Sequence, residues 1–256
     1  MSSEHIDSYV TFLFRRKNYC VSSIKSQLAA INFFGKKDLK NNLTNSFVTE
    51  KLLKKYEKDS SKTRRERKPI TKKVLNELLK NISQTEKEEY YKHGFMTLFS
   101  IMYRMALRIS EVSDYSKSFS HAIKRDNIRL VTERRILRVT LETHKHSTDK
   151  AQYEVICNPT LWRHINKFLA LRGNAPGPLF CHKSGKPFTR AFILKKLKET
   201  LSNIGLDKNS YNTHSFRAGK TTDLFEKGAS QEQIARIGRW KTTAYKQYIK
   251  PENITV

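Results

Sequence analysis

Apolar residues recur at helical spacing in three short segments near the start of the chain. These are Ile6, Tyr9, Val10 and Leu13, then Ile24, Leu28 and Ile31 behind a cap-like Ser22-Ser23, then Phe47, Leu52, Leu53 and Tyr56. The pattern predicts a small all-helical module of three or four helices. Further on, Thr71 is placed to cap a helix running to about Ile82, and Phe95, Leu98, Phe99 and Met102 mark the inner face of another. The period changes over residues 127–157. Ile128-Arg-Leu-Val, Ile136 to Leu141 and Tyr153 to Ile156 read as a three-stranded antiparallel meander whose second turn is His144 to Lys150. Helical spacing returns at Leu161, Ile165, Phe168 and Leu169. After a Gly/Pro loop from Gly173 to Pro178, helices are predicted at about 189–204, 214–227 and 231–237. Gly228 suits the position just past a helix end, and Ser230 with Gln233 has the spacing of a capping box.

Between these regions lies a stretch with no apolar anchor, Asp59 to Pro69, which reads as an interdomain linker. The predicted organisation is therefore a helical domain over 1–60, a basic linker over 61–69 and a second domain over 70–256. The fold class is mainly α with a small antiparallel β-meander, an α+β arrangement.

Composition narrows the function. Fifty Lys and Arg against 24 Asp and Glu give a net charge of +26 in 256 residues, with cations in excess on both sides of the linker. Such an excess calls for a polyanionic partner, with nucleic acid first. An aromatic content of 11% is too high for a disordered basic tail, even with a mean hydropathy of −0.66. No apolar run is long enough for a membrane span and no secretory signal is evident, so a soluble, intracellular protein without a membrane partner is expected. Cys20, Cys157 and Cys181 are odd in number and widely spaced, and are expected to be small core residues. No acidic cluster or H-E-x-x-H suggests a metal. His144-x-His146 and Cys181-His182 are read as incidental neighbours, and no cofactor is expected.

Three polar segments carry the candidate chemistry. Thr213-His214-Ser215-Phe216-Arg217-Ala218-Gly219 sets His214 and Arg217 one helical turn apart, both able to donate to one phosphate. Alone, such a pair is more often a solvated helix face. Ala106-Leu107-Arg108-Ile109-Ser110-Glu111-Val112 ends an apolar helix on an arginine and restarts with Ser110 as N-cap and Glu111 in the first turn. Gly238-Arg239-Trp240 to Tyr245-Lys246-Gln247-Tyr248-Ile249 brings an indole and two phenols together, which would otherwise be core aromatics.

In this order and spacing, the three segments resemble the tyrosine recombinases, the phage-type integrase family. There, Arg, Lys, His-x-x-Arg, His or Trp, and Tyr assemble around one scissile phosphate. Residues 71–256 match the catalytic domain of that family and residues 1–60 look like its core-binding domain. The tail HSFRAG…GRWKTTAYKQYI is most similar to enzymes of crypton and DIRS-like mobile elements and some viral integrases. The resemblance implies Arg108 and Arg217 as catalytic arginines, with Glu111 and His214 as their supporting partners and Trp240 at the His/Trp position. It implies a lysine on the hairpin turn, Lys145 in preference to Lys150.

Many relatives place the nucleophile nine residues after the His/Trp position, which from Trp240 is Ile249, so Tyr248 is assigned with Tyr245 as runner-up. Lys62, Arg64, Arg65, Arg67, Lys68, Lys150 and Arg239 are expected to contact DNA. The implied function is a site-specific recombinase that cuts and rejoins double-stranded DNA through a 3′-phosphotyrosyl link, for a mobile or viral element. It would work as a homotetramer on two duplexes, in the nucleus of a eukaryotic host or otherwise in the cytoplasm, with no small-molecule substrate. The alternatives are a DNA-binding relative that no longer cuts and a type IB topoisomerase-like relaxing enzyme.

Overall fold

The computed structural model describes residues 3–38, 46–60, 67–113, 122–142, 151–240 and 242–248. The chain divides into two compact units, Met1–Glu66 and Arg67–Val256.

The first unit holds three helices, α1 (Ser3–Arg15), α2 (Val21–Asp38) and α3 (Phe47–Ser60). The apolar positions seen in the sequence close its core: Ile6, Val10, Leu13, Ile24, Leu28, Leu53 and Tyr56 are buried. Phe14 stacks on Tyr56 with ring centroids 3.9 Å apart, and Tyr9 donates to Gln27 at 2.6 Å. Two expectations need correction. Helix α2 begins at Val21, so Ser22 and Ser23 lie in its first turn and do not precede it. Cys20 is exposed, not a core residue. Its sulfur sits 3.3 and 3.1 Å from the Ser22 and Ser23 hydroxyls, which lower its thiol pKa to about 7.

The second unit is built around α5 (Glu89–Arg104), which is buried on nearly every face because α4 (Lys72–Thr85), α6 (Pro159–Arg172) and α8 (Ser215–Glu226) all pack on it. A helix that apolar all round can only be central. Thr71 caps α4 as predicted, accepting from the Val74 N–H. The meander is β1 (Ile128–Val131), β2 (Ile136–Leu141) and β3 (Ala151–Ile156) in the order β1-β2-β3, antiparallel, with Val139 opposite both Ile128 and Tyr153. Leu137, Val139 and Leu141 alternate into the core, the period-2 signature of a sheet with one buried face. The turn His144 to Lys150 lies outside the described residues.

Helices α7 (Arg190–Asn203), α8 and α9 (Gln231–Gly238) fall within a residue or two of the predicted bounds. Gly228 has φ +73° past the end of α8, and the Ser230–Gln233 capping box is formed. Of the other cysteines, Cys157 and Cys181 are buried as expected, and burial raises the Cys157 thiol pKa.

The strand of chain entering the second unit is fastened to α8. The Lys68 and Ile70 N–H groups donate to the carbonyls of Ser210 and Ser215 at 2.8 and 2.9 Å, and the Lys72 N–H donates to Asp223 at 3.0 Å. Gly219 makes this approach possible, since a Cβ there would lie 1.7 Å from the Ile70 carbonyl oxygen. Phe216 packs on Phe99 of α5 at 5.1 Å, so α8 is fixed from both sides.

Away from this seam, His93 of α5 and His164 of α6 are buried against each other with their Nδ1 atoms 2.7 Å apart, and His93 Nε2 meets Glu89 at 3.0 Å. Desolvation and the neighbouring cations hold the His164 pKa down to about 4, and desolvation lowers that of His93.

Two outcomes follow from this packing. Gly219→Ala should destabilise the protein by at least ~2 kcal/mol, because backbone and not a pliable side chain must move, and denaturant titration against wild type would measure it. The buried histidines are neutral when folded and free to protonate when unfolded, so their contribution is complete above about pH 6.5 and is lost as pH falls toward 4. The slope of stability against pH across that window should be shallower in His164→Leu than in wild type.

Candidate active site

The loop after α5 turns sharply at Ala106, whose φ of +46° is left-handed, a conformation costly for a residue with a Cβ. The turn aims its carbonyl at two arginines from distant parts of the chain. Arg217 Nη1 donates to the Ala106 oxygen, and Arg239 Nη2 reaches the same oxygen at 3.4 Å. Arg217 is 2% exposed, and its second terminal nitrogen donates to the Gly238 carbonyl at 2.7 Å.

Beyond Ala106, a single 3-10 turn covers Ile109–Glu111. Ser110 is not its cap, as the sequence had suggested. Arg108 takes that position, and the Glu111 carboxylate folds back to accept the Arg108 N–H at 2.7 Å. The same carboxylate accepts from the Arg108 guanidinium at 3.2 Å and from that of Arg239 at 2.6 Å. Glu111 is only 1% exposed, so it is a buried anion shared by two cations and not half of a surface pair.

Arg239 is the largest departure from expectation. It was anticipated as a DNA contact, yet it is 9% exposed, holds a left-handed φ of +56° after α9 and donates to the Met105 carbonyl at 3.2 Å. Its guanidinium lies 5.2 Å over the Tyr153 ring, and its Nε is buried without a hydrogen-bond partner. The local reason is the chain reversal that ends α9. The left-handed residue turns the backbone so that Arg239 faces the Ala106 loop while Trp240 faces Arg217. A signal for Arg239 was present in the sequence, because Tyr248 follows it by the nine residues that failed when counted from Trp240. Nothing in the sequence pointed to the Ala106 carbonyl.

Trp240 is half-buried and packs near Arg217 and both tyrosines, with the Tyr245 ring 6.0 Å away. The Arg217 guanidinium carbon is 4.3 Å from its ring centroid and the Tyr248 ring is 5.7 Å away. Gly238 permits this, since a Cβ there would sit 1.7 Å from the indole. The two tyrosines belong to the short turn Thr243–Tyr248 but differ in environment. Tyr245 is 4% exposed and its hydroxyl donates to Gln231 at 2.7 Å, whereas Tyr248 is half-buried and its backbone carbonyl accepts from Thr222 at 3.3 Å.

Charge is concentrated here. Desolvation first, then the like charges of Arg108 and Arg239, lowers the Arg217 pKa to about 10, while Glu111 and the Tyr248 phenol act in the opposite sense. Arg217 therefore remains a cation at neutral pH, but one that gains from any added anion. Three guanidinium groups lie around one carboxylate, which pairs with only Arg108 and Arg239, and this leaves a cationic excess suited to a phosphodiester.

Of the remaining candidates, His214 is exposed at the start of α8, whereas Arg217, one turn further on, is buried. Arg67 and Lys68 are exposed, with the Arg67 Nη1 donating to the Asn209 carbonyl at 2.6 Å. Lys145, Lys150, Lys62, Arg64 and Arg65 lie outside the described residues. Among the described residues, no group of three His, Cys, Asp or Glu side chains is arranged to hold a metal ion, and no helix is long and apolar enough to cross a membrane.

Comparison with known proteins gives the family and the fold. The profile described as the phage integrase family matches residues 68–252. By sequence, no curated protein matches. Among solved structures, the chain superposes on the Tn1549 transposon integrase in complex with a circular intermediate DNA with a TM-score of 0.67 at 14% identity, covering 98% of this chain and 83% of that one. On the XerH site-specific recombinase bound to a palindromic difH substrate, the TM-score is 0.67 at 13% identity, over 97% and 68% of the two chains. For a lambda integrase dimer bound to a core site the values are 0.61 and 12%, over 100% and 66%. At such identities the superpositions show a shared fold.

The buried carboxylate gives a direct test. Glu111→Ala should cost about 3–5 kcal/mol, because it strands two guanidinium groups, and Glu111→Ala with Arg239→Met should recover much of the loss. A double-mutant cycle from denaturant unfolding measures both.

Proposed function

Because the chain belongs to the phage integrase family and is a tyrosine recombinase, we propose that Arg108, Arg217 and Arg239 form the phosphate site of a DNA strand-transfer reaction and that Tyr248 is its nucleophile. The observation that carries this reading is the convergence of three guanidinium groups on Glu111 and the Ala106 carbonyl, with the half-buried Tyr248 beside Trp240.

Attack on a phosphodiester builds negative charge on its nonbridging oxygens, so catalysis depends chiefly on cations already fixed where that charge develops. Arg108 and Arg217 supply donors there, and the charge of Arg239, held by Glu111, adds to their field. Glu111 orients Arg108 and Arg239 and reacts with nothing. Trp240 packs against both Arg217 and Tyr248, which helps to position them.

In the reaction, the Tyr248 hydroxyl gives up its proton to His214 or to solvent and its oxygen bonds to phosphorus. The bond from phosphorus to the 5′-oxygen breaks, and that oxygen leaves as a hydroxyl after taking a proton, which we assign to Lys145 in preference to Lys150. General-acid help of this kind is worth typically about 10²–10⁴-fold. A 5′-hydroxyl from a second strand then reverses the chemistry on the phosphotyrosyl bond, so the bond energy is conserved and no nucleotide triphosphate is consumed.

The finer proposals rest on the same chemistry. Exchange between two duplexes requires four strand breaks, and one nucleophile set per chain then implies a homotetramer on two DNA molecules. The unit before residue 67 would also bind DNA, with Lys62, Arg64 and Arg65, and Arg67 and Lys68 at the start of the second unit, contacting backbone phosphates. The substrate would be the ends of a mobile or viral element, and the reaction would take place with the host genome, in the nucleus where there is one.

A nicked suicide copy of the element's own end should trap a covalent protein–DNA adduct. Tyr248→Phe should abolish the adduct and Tyr245→Phe should retain it, as read by denaturing gel. Adduct formation unchanged in Tyr248→Phe overturns the nucleophile assignment. Arg217→Ala and Arg108→Ala should each slow adduct formation by roughly 10²-fold or more.

A further inference from the structure

A second concentration of charge lies on the catalytic unit, in a cavity of about 540 Å³ between α4, α5, the start of α6 and α8. Among the described residues six cations line it, Lys72, Lys80, Arg104, Arg163, Lys220 and Lys227, and no carboxylate does. We infer that this cavity is a binding site for a small organic polyphosphate.

The arrangement of the cations supports a ligand held inside the cavity. Lys72, Lys80, Arg163 and Lys227 are exposed, whereas Arg104 and Lys220 are half-buried beside the apolar Leu75, Met96 and Leu161. Among the described residues none of the six forms an ion pair. Arg104 donates to the Ile156 carbonyl at 3.3 Å, and Lys220 lies 5.8 Å over the Tyr103 ring, contacts that leave both charges uncompensated. The neighbouring Asp223 accepts the Lys72 backbone N–H and is not part of the lining.

Burial, and then the charges of Lys227, Arg104 and Lys72, lower the Lys220 pKa, a cost that bound phosphates would remove. The volume falls within the range of about 300–1,000 Å³ usual for small-molecule pockets, and the wall offers the apolar surface and convergent polar groups such ligands need. Low-dielectric walls around charges of one sign concentrate their field on whatever anion enters. The chemistry favoured is several phosphates on a compact scaffold, which fits an inositol polyphosphate or a nucleoside triphosphate.

The test uses the full chain in thermal shift and calorimetry, with inositol hexakisphosphate and ATP as separate probes. Inorganic phosphate and KCl at matched ionic strength serve as controls. At least one organic probe should raise the melting temperature saturably beyond the controls, and which probe does so separates the two sources. Lys220→Gln should weaken its apparent Kd by roughly tenfold, the size of one lost charge-assisted contact. The exposed pair Lys80→Gln with Lys227→Gln should do the same while leaving the fold intact.

A rise reproduced by KCl or inorganic phosphate, or affinity unchanged in the Lys80/Lys227 variant, overturns the inference. So does displacement of the probe by duplex DNA together with equal loss of duplex affinity in that variant, since the cavity would then belong to the DNA surface. None of these readouts involves strand cleavage, so failure here is distinct from failure of the recombinase mechanism.

Discussion

The site depends on one buried carboxylate. Glu111 binds the guanidinium groups of Arg108 and Arg239 and the backbone N–H of Arg108, within a region almost closed to water. A buried guanidinium without a partner is expensive to keep, so removing this anion would expose the repulsion among Arg108, Arg217 and Arg239. The two carbonyls that complete the arrangement, of Ala106 and Gly238, come from chain reversals that local propensity disfavours or that only glycine allows. Strain at Ala106 and Arg239 is thus tied to the placing of charge.

The arginines are compensated only in part. One carboxylate and several carbonyl dipoles hold three cations in position, but the Arg217 pKa is still pulled down to about 10 and the Arg239 Nε has no acceptor. A site left in this condition is preorganised for an anion, because the guanidinium groups need not move or shed much water when a phosphate arrives. The cavity on α4, α5, α6 and α8 differs in this respect, since its lysines are mostly solvated and no carboxylate among the described residues lines it.

Much of the fold was legible in the residues. The helix periods, the Thr71 and Ser230 caps and the alternation in Ile136 to Leu141 all describe contacts within a few residues, which is where propensity and periodicity act. The two local errors at Ser22-Ser23 and Ser110 have a common cause. A side chain able to cap a helix does not by itself define its start, which lies at Val21 in one case and is set by the reach of Glu111 in the other. The choice between Tyr248 and Tyr245 was not decidable from spacing alone. Both rings lie near Trp240, at 6.0 and 5.7 Å, and the two differ in burial, since Tyr245 is sealed with its hydroxyl on Gln231 and Tyr248 is half-buried.

By itself, the sequence determined a basic, two-part, mainly helical protein with a three-stranded meander, and it named Arg108, Glu111, His214, Arg217, Trp240 and Tyr248 as the groups to watch. Only the tertiary structure decided how they combine. It moved Arg239 from the expected DNA surface into the core of the site, made Glu111 a shared buried anion, and set Trp240 against Arg217 and Tyr248. The reason is that charge burial and hydrogen-bond sharing are properties of residues more than a hundred positions apart, such as Ala106 and Arg217, and no local pattern records which carbonyl a distant guanidinium will find.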